Sequence, residues 1–158
     1  MTNEKIVAIS GGFDPIHIGH VRLIQEAAKL GTKLVVILNN DVWLEDKKGA
    51  PFMPLAERME ILMGMKGVDA VIPTSHKPGF TDRSVCYELY QIKPDIFANG
   101  GDRFSDNVPE KQLCIDLGIE MVFNVGHGGK VQSSSWLIEK ANKEALSGPP
   151  DQEDADVF

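Results

Sequence analysis

The chain has little cysteine, no apolar run of membrane length and no excess of basic charge, and each shortage removes a class of protein. Its two cysteines, Cys86 and Cys114, have neither the number nor the spacing of a disulfide framework or a zinc site. They read as reduced thiols on buried helix faces. No run approaches the roughly 18 apolar residues of a membrane span. The opening MTNEKIVAIS has no positive segment followed by an apolar core and a cleavage site. A cytoplasmic protein without a membrane partner is expected. The formal net charge of −7 is opposite to the basic balance of a nucleic-acid groove, so no nucleic-acid partner is expected either. Also missing are G-x-G-x-x-G and G-x-x-x-x-G-K-[ST], which disfavours a nicotinamide cofactor or a P-loop.

What is present suffices for one domain. At 158 residues, with 42% hydrophobic and 25% charged, the chain can bury a continuous core without staples. Short, nearly continuous apolar runs rich in β-branched residues recur at 5–10, 33–39, 69–74, 95–99 and 120–125, as expected for strands covered on both faces. Helical spacing separates them. Val21, Leu23, Ile24, Ala27, Ala28 and Leu30 form one stripe, ended by Gly31, and others run over 54–66, 83–92, 109–117 and 134–145. The alternation predicts an α/β fold: a single doubly wound domain over residues 1–146 with a mainly parallel five-stranded sheet. Residues 147–158, SGPPDQEDADVF, carry four acidic residues and no Lys or Arg, and read as a disordered tail.

Ligands of such folds sit at the carboxyl ends of strands, so the loops that follow them carry the function. In the first, GGFDPIHIGH, Gly11 and Gly12 allow a tight turn and close approach of backbone N–H groups to a phosphate. A helix beginning near Ile18 aims the positive end of its dipole at the same place. Asp14-Pro15 fixes the entry to the turn. His17 and His20, three residues apart, can both face the resulting cleft, with Gly19 keeping that face clear of bulk. Alone, such a pair fits packing or capping as well as chemistry. After a glycine turn and at a helix start, the chemical reading takes precedence.

GGFDPIHIGH resembles the HxGH signature of the nucleotidyltransferase superfamily, especially its cytidylyltransferase-like branch, where G-x-F-D precedes the histidines. Three further segments match in order: KKGAPFMPLAERMEIL resembles the lysine-bearing loop and E-R helix, KPDIFANGGD a strand end, and KVQSSSWLI a late helix start. The likeness spans about residues 5–140 and is nearest to glycerol-3-phosphate cytidylyltransferases and to nucleotidyltransferase domains acting on heptose 1-phosphate. It implies a Rossmann-like nucleotidyltransferase that joins a nucleoside triphosphate to a phosphorylated acceptor and releases pyrophosphate.

The resemblance also implies roles. His17 and His20 would stabilise charge at the α-phosphate, and Lys48 or Lys47 would close over the phosphates from a mobile loop. Gly11, Gly12, Phe13 and Asp14 would contact nucleotide. Asp102, with Gly100 and Gly101, would lie by the ribose or base. Ser133, Ser134 and Ser135 would present hydroxyls and a helix N-terminus to the β- and γ-phosphates. Residue by residue, other readings stand beside these: a solvated loop for the lysines, a turn former or N-cap for Asp102 and the serines. Arg58 fits a phosphate or acceptor contact and equally a surface ion pair. Trp43 and Trp136 fit a base or acceptor pocket or core packing.

Two segments depart from the glycerol phosphate type. Its arginine before the serine segment is absent from GHGGKVQSSS, where Lys130 is the nearest cation and cannot make arginine's bidentate contact. Its R-Y-V-D pattern is KGVD here. The expected reaction uses CTP, with ATP second, and a small phosphorylated polyol or sugar. Mg²⁺ is expected to be held mainly by substrate phosphates, and the assembly to be a homodimer. Alternatives are an adenylyltransferase acting on flavin mononucleotide or phosphopantetheine, and a nucleotide-binding regulatory module without turnover.

Overall fold

A computed structural model of the chain describes residues 3–101, 108–126 and 132–146. Five strands, β1 (Ile6–Gly11), β2 (Lys33–Leu38), β3 (Ala70–Pro73), β4 (Ile96–Ala98) and β5 (Glu120–Val122), form one parallel sheet in the order β3-β2-β1-β4-β5. Six helices connect and follow them: α1 (Ile18–Ala28), α2 (Asp41–Lys48), α3 (Leu55–Met63), α4 (Cys86–Ile92), α5 (Lys111–Leu117) and α6 (Ser134–Leu146).

The continuous apolar runs form strands because both faces of the sheet are covered. Val7 and Ile9 of β1, Leu34, Val36 and Leu38 of β2, and Ile96 and Ala98 of β4 pack on one side with Ile24 and Ala27 of α1 and Leu62 of α3. The intervening Ala8, Ile37 and Phe97 pack on the other with Leu89 of α4 and Cys114 of α5. That is the period of two expected of strands. Cys114 is buried and Cys86 half-buried, both thiols free. Burial pushes the Cys114 thiol up to about 11, so it stays protonated and unreactive at neutral pH.

Strand order places the site. Chain progress runs outward from β1 through β2 to β3, then returns to β1's other flank for β4 and β5, so a crevice opens beyond the carboxyl ends of β1 and β4.

One expectation fails here. Lys47 and Lys48, expected on a loop, lie on a helix instead, because residues 41–48 form α2 and both lysines occupy its last turn. Asn40 caps it, its side chain accepting the Trp43 N–H at 2.9 Å, and Gly49 ends it with φ of 90°. The tail at 147–158 lies outside the described residues. Among the described residues, no helix is long and apolar enough to cross a membrane.

Candidate active site

A cavity of about 420 Å³ lies in this crevice, with the histidine pair in its wall. His17 is the N-cap of α1, its Nδ1 accepting the Gly19 N–H at 3.1 Å. His20 Nδ1 accepts the His17 N–H at 3.2 Å, closing a reciprocal capping box. The rings stack with centroids 3.8 Å apart, and His20 rests on Phe13 at 4.6 Å. A Cβ at position 19 would stand 2.9 Å from His17 Cε1, so only glycine admits the stack.

The hydrogen bonds fix the chemistry of the pair. Both Nδ1 atoms accept, so each neutral ring carries its proton on Nε2. Burial lowers His17, and burial with the nearby His17 charge takes His20 down to about 3. At neutral pH both are uncharged donors.

Asp14, 2% exposed, anchors the neighbouring wall. Its carboxylate accepts the Phe52 and Met53 N–H groups at 2.6 Å each and pairs with Lys48 Nζ at 2.8 Å. Lys48 also donates to the Asp14 carbonyl at 2.6 Å. Thus the lysine is held at the cavity edge by the residue that opens the histidine loop. Cations outnumber acids in the described lining, with Arg22, Lys47 and Lys48 against Asp14 alone. Two helix N-termini, of α1 and α6, add to the positive side. Among the described lining residues the charge balance favours an anion.

The family model described as cytidylyltransferase-like matches residues 8–146, nearly the whole described chain. The chain belongs to the cytidylyltransferase-like family. That membership makes it an enzyme of the nucleotidyltransferase type, on a Rossmann-like fold. The bifunctional protein HldE of Hydrogenovibrio crunogenus is 38% identical over 120 residues, covering 75% of this chain and 24% of that protein. HldE of Hahella chejuensis is 36% identical over 153 residues, covering 90% and 29%. The chain therefore spans under a third of the length of these relatives. The lipopolysaccharide core biosynthesis protein from Thermoplasma volcanium shares the fold, with a TM-score of 0.63 at 24% identity over 78% of this chain and 98% of that one.

Against this cytidylyltransferase-like frame, the candidate residues divide. The cavity brings together Gly12, Phe13, Asp14, His17, His20, Lys47, Lys48, Gly100, Gly101 and Ser133 to Ser135. Gly11 is not in the wall. It ends β1 over the Phe13 ring, which a Cβ would approach to 3.1 Å. Asp14 borders the cavity with its carboxylate committed to Lys48 and two amides, so it serves as a holder rather than a nucleotide contact. Ser133 Oγ caps α6 through the Trp136 N–H at 3.0 Å, and Ser134 Oγ donates to the Pro15 carbonyl at 2.8 Å. Asp102 and Lys130 lie outside the described residues.

Arg58 needs the plainest correction. It is neither a surface ion-pair residue nor an acceptor contact, because it is wholly buried and out of the cavity wall. Its guanidinium donates to the carbonyls of Met53, Gly12 and Asn39 and pairs with Asp41 at 2.7 Å, clipping α3 to the histidine loop and to α2. Trp136 is half exposed and does not line the cavity, whereas Trp43 does. Sequence reading missed Arg22, Leu23, Val125, Gly126, Gln132 and Ile138. Arg22 was legible only as the residue two after His20 on a helix whose first turn faces the cleft.

Proposed function

We propose that the chain transfers a nucleotidyl group from a nucleoside triphosphate to the phosphate of a small sugar or polyol, releasing pyrophosphate. An acceptor phosphate oxygen forms a bond to the α-phosphorus while the bond to the α,β-bridging oxygen breaks, and pyrophosphate takes the electron pair. An acceptor phosphate is already an anionic nucleophile, so no strong base is needed. Positioning and charge stabilisation carry the rate.

The observation that carries this reading is the locked, uncharged histidine pair. With both Nδ1 atoms bonded to backbone, two Nε2–H groups at one helix N-terminus are preorganised donors for the oxygens on which charge develops. Lys48 supplies a fixed positive charge beside them. The flank built from Gly100, Gly101, Gly126, Arg22 and the start of α6 suits the nucleotide and the leaving pyrophosphate; the α2 flank then receives the acceptor. Among the described residues, no group of three or more His, Cys, Asp or Glu could hold a metal, and Asp14 is already satisfied. Magnesium fits as a counter-ion brought by the triphosphate, whose phosphates would hold it together with water.

The family description favours CTP, and ATP is the rival. Val125, Gly126 and Ile138, at the proposed nucleoside end, carry no side-chain hydrogen-bonding group that separates the two bases. A pyrophosphate-release screen with CTP and ATP against a panel of phosphorylated sugars and polyols tests the proposal. Release that requires both a triphosphate and an acceptor supports it. Tight triphosphate binding with no release across the panel sinks it. A homodimer belongs to the same proposal and is read by light scattering.

A further inference from the structure

Phe13 is a buried phenylalanine in a conformation that suits glycine. Its φ is 49°, in the left-handed region that a bulky side chain rarely adopts, and it is 2% exposed. Its two neighbours hold it there. The Gly12 carbonyl accepts from Arg58 Nη1 at 2.9 Å, and Asp14 is fastened through its carboxylate to the Phe52 and Met53 amides and through its carbonyl to Lys48. Strain that the surroundings over-determine points to a use beyond packing. The reaction as described above gives Phe13 no task.

The position of its ring supplies one. Phe13 and His17 are joined through His20, whose ring meets them at centroid distances of 4.6 and 3.8 Å. A glycine makes room for each outer ring: a Cβ at position 11 would stand 3.1 Å from Phe13 Cε2, and one at position 19 would stand 2.9 Å from His17 Cε1. Three contacts therefore restrain the His20 imidazole: the near-parallel His17 ring, the Phe13 ring tilted at 45°, and the bond its Nδ1 accepts from the His17 N–H. The Phe13 contact is the one that neither gives nor takes a hydrogen bond and carries no charge.

We propose that Phe13 is a positioning residue that acts through His20: its ring, set by a left-handed backbone, holds the imidazole at the angle from which Nε2–H meets the charge developing in transfer, and keeps water off the face it covers. The strain at Phe13 is then the cost of aiming a neighbouring donor. This rests on the nucleotidyl-transfer reading, in which His20 is such a donor.

A double-mutant cycle tests it. Phe13→Leu keeps apolar bulk but no flat face, and should lower turnover roughly 10- to 100-fold, the scale of a misplaced catalytic group. In a His20→Ala background the same change should alter turnover by no more than about twofold, because the group it aims is gone. Equal losses in both backgrounds, or no loss in the first, would overturn the proposal. A second arm needs no turnover: titration of the His20 ring by NMR. The titratable and charged groups that share the described cavity wall with His20 are His17, Asp14, Arg22, Lys47 and Lys48, and Phe13→Leu replaces none of them. Uncovering the ring should raise its midpoint from about 3 toward 6.5, by about one pH unit or more. Phe13→Met, which fills irregular space without a ring, serves both arms if the leucine variant does not fold. A raised midpoint in a protein that releases no pyrophosphate would support the positioning while the transfer reading failed. An unmoved midpoint in the folded variant overturns the proposal whether or not turnover occurs.

Discussion

A single ring can serve structure and chemistry through different nitrogens: His17 Nδ1 caps α1, and its Nε2–H is the donor proposed for the substrate. The two duties separate by substitution. Asparagine is among the strongest N-caps and places its carbonyl oxygen near the position of Nδ1, but nothing at Nε2. His17→Asn should therefore melt close to the parent and still lose roughly 10²- to 10³-fold in turnover, the cost of one preorganised donor. His17→Ala should lose both. Parallel measurement of thermal midpoint and turnover checks this; an asparagine variant with near-parental turnover would reduce His17 to a cap. His20 makes a prediction about pH. Its native pKa of about 3 lies below the ordinary value of 6.5, so below 6.5 the unfolded chain binds a proton that the native chain refuses. Stability should fall as pH drops from 6.5 toward 3, by at most about 1.4 kcal/mol per pH unit from this group. His20→Gln should flatten that slope in urea unfolding between pH 4 and 7. An unchanged slope would mean the ring titrates normally.

Among the elements, α2 contributes most to the site and was least visible. DVWLEDKK has one buried apolar residue, Leu44, and no stripe, so hydrophobic spacing gives no helix there. Its local signals were the Asn40 cap and the Gly49 stop, and its stability comes from tertiary ties: Asp41 to Arg58, Asp46 to Arg83, Lys48 to Asp14. Residues 52 and 53 are fastened to the Asp14 carboxylate, which ties the segment after α2 to the histidine loop. Asp14→Asn keeps the size of the side chain and discards its charge. It should accelerate hydrogen exchange at the Phe52 and Met53 amides by at least about tenfold and lower turnover by releasing Lys48. Protection unchanged from the parent would show that the segment is held by something else.

For the whole molecule, the layering and the location of the site were readable because they follow from continuous apolar runs alternating with helical stripes. Five runs gave five parallel strands, and the loop after the first carried the histidines. What was not readable depends on contacts between distant segments. Arg58 looks like half of a surface pair until the carbonyls of Gly12 and Asn39 are brought to it, and Arg22 looks like any solvated helix residue until Gly126 packs against its backbone. The same applies to Gly11, whose neighbour is a ring rather than a phosphate.

The central claim is that an acceptor phosphate attacks the α-phosphorus directly. The pyrophosphate screen takes its sharpest form with an acceptor whose phosphate oxygens carry ¹⁸O. The account predicts that all of the label appears in the nucleotide-linked product and none in the released pyrophosphate, with inversion at the α-phosphorus when a chiral thio-substituted triphosphate is used. Release of orthophosphate, or of a nucleoside diphosphate in place of pyrophosphate, would place the attack at another phosphorus and contradict it.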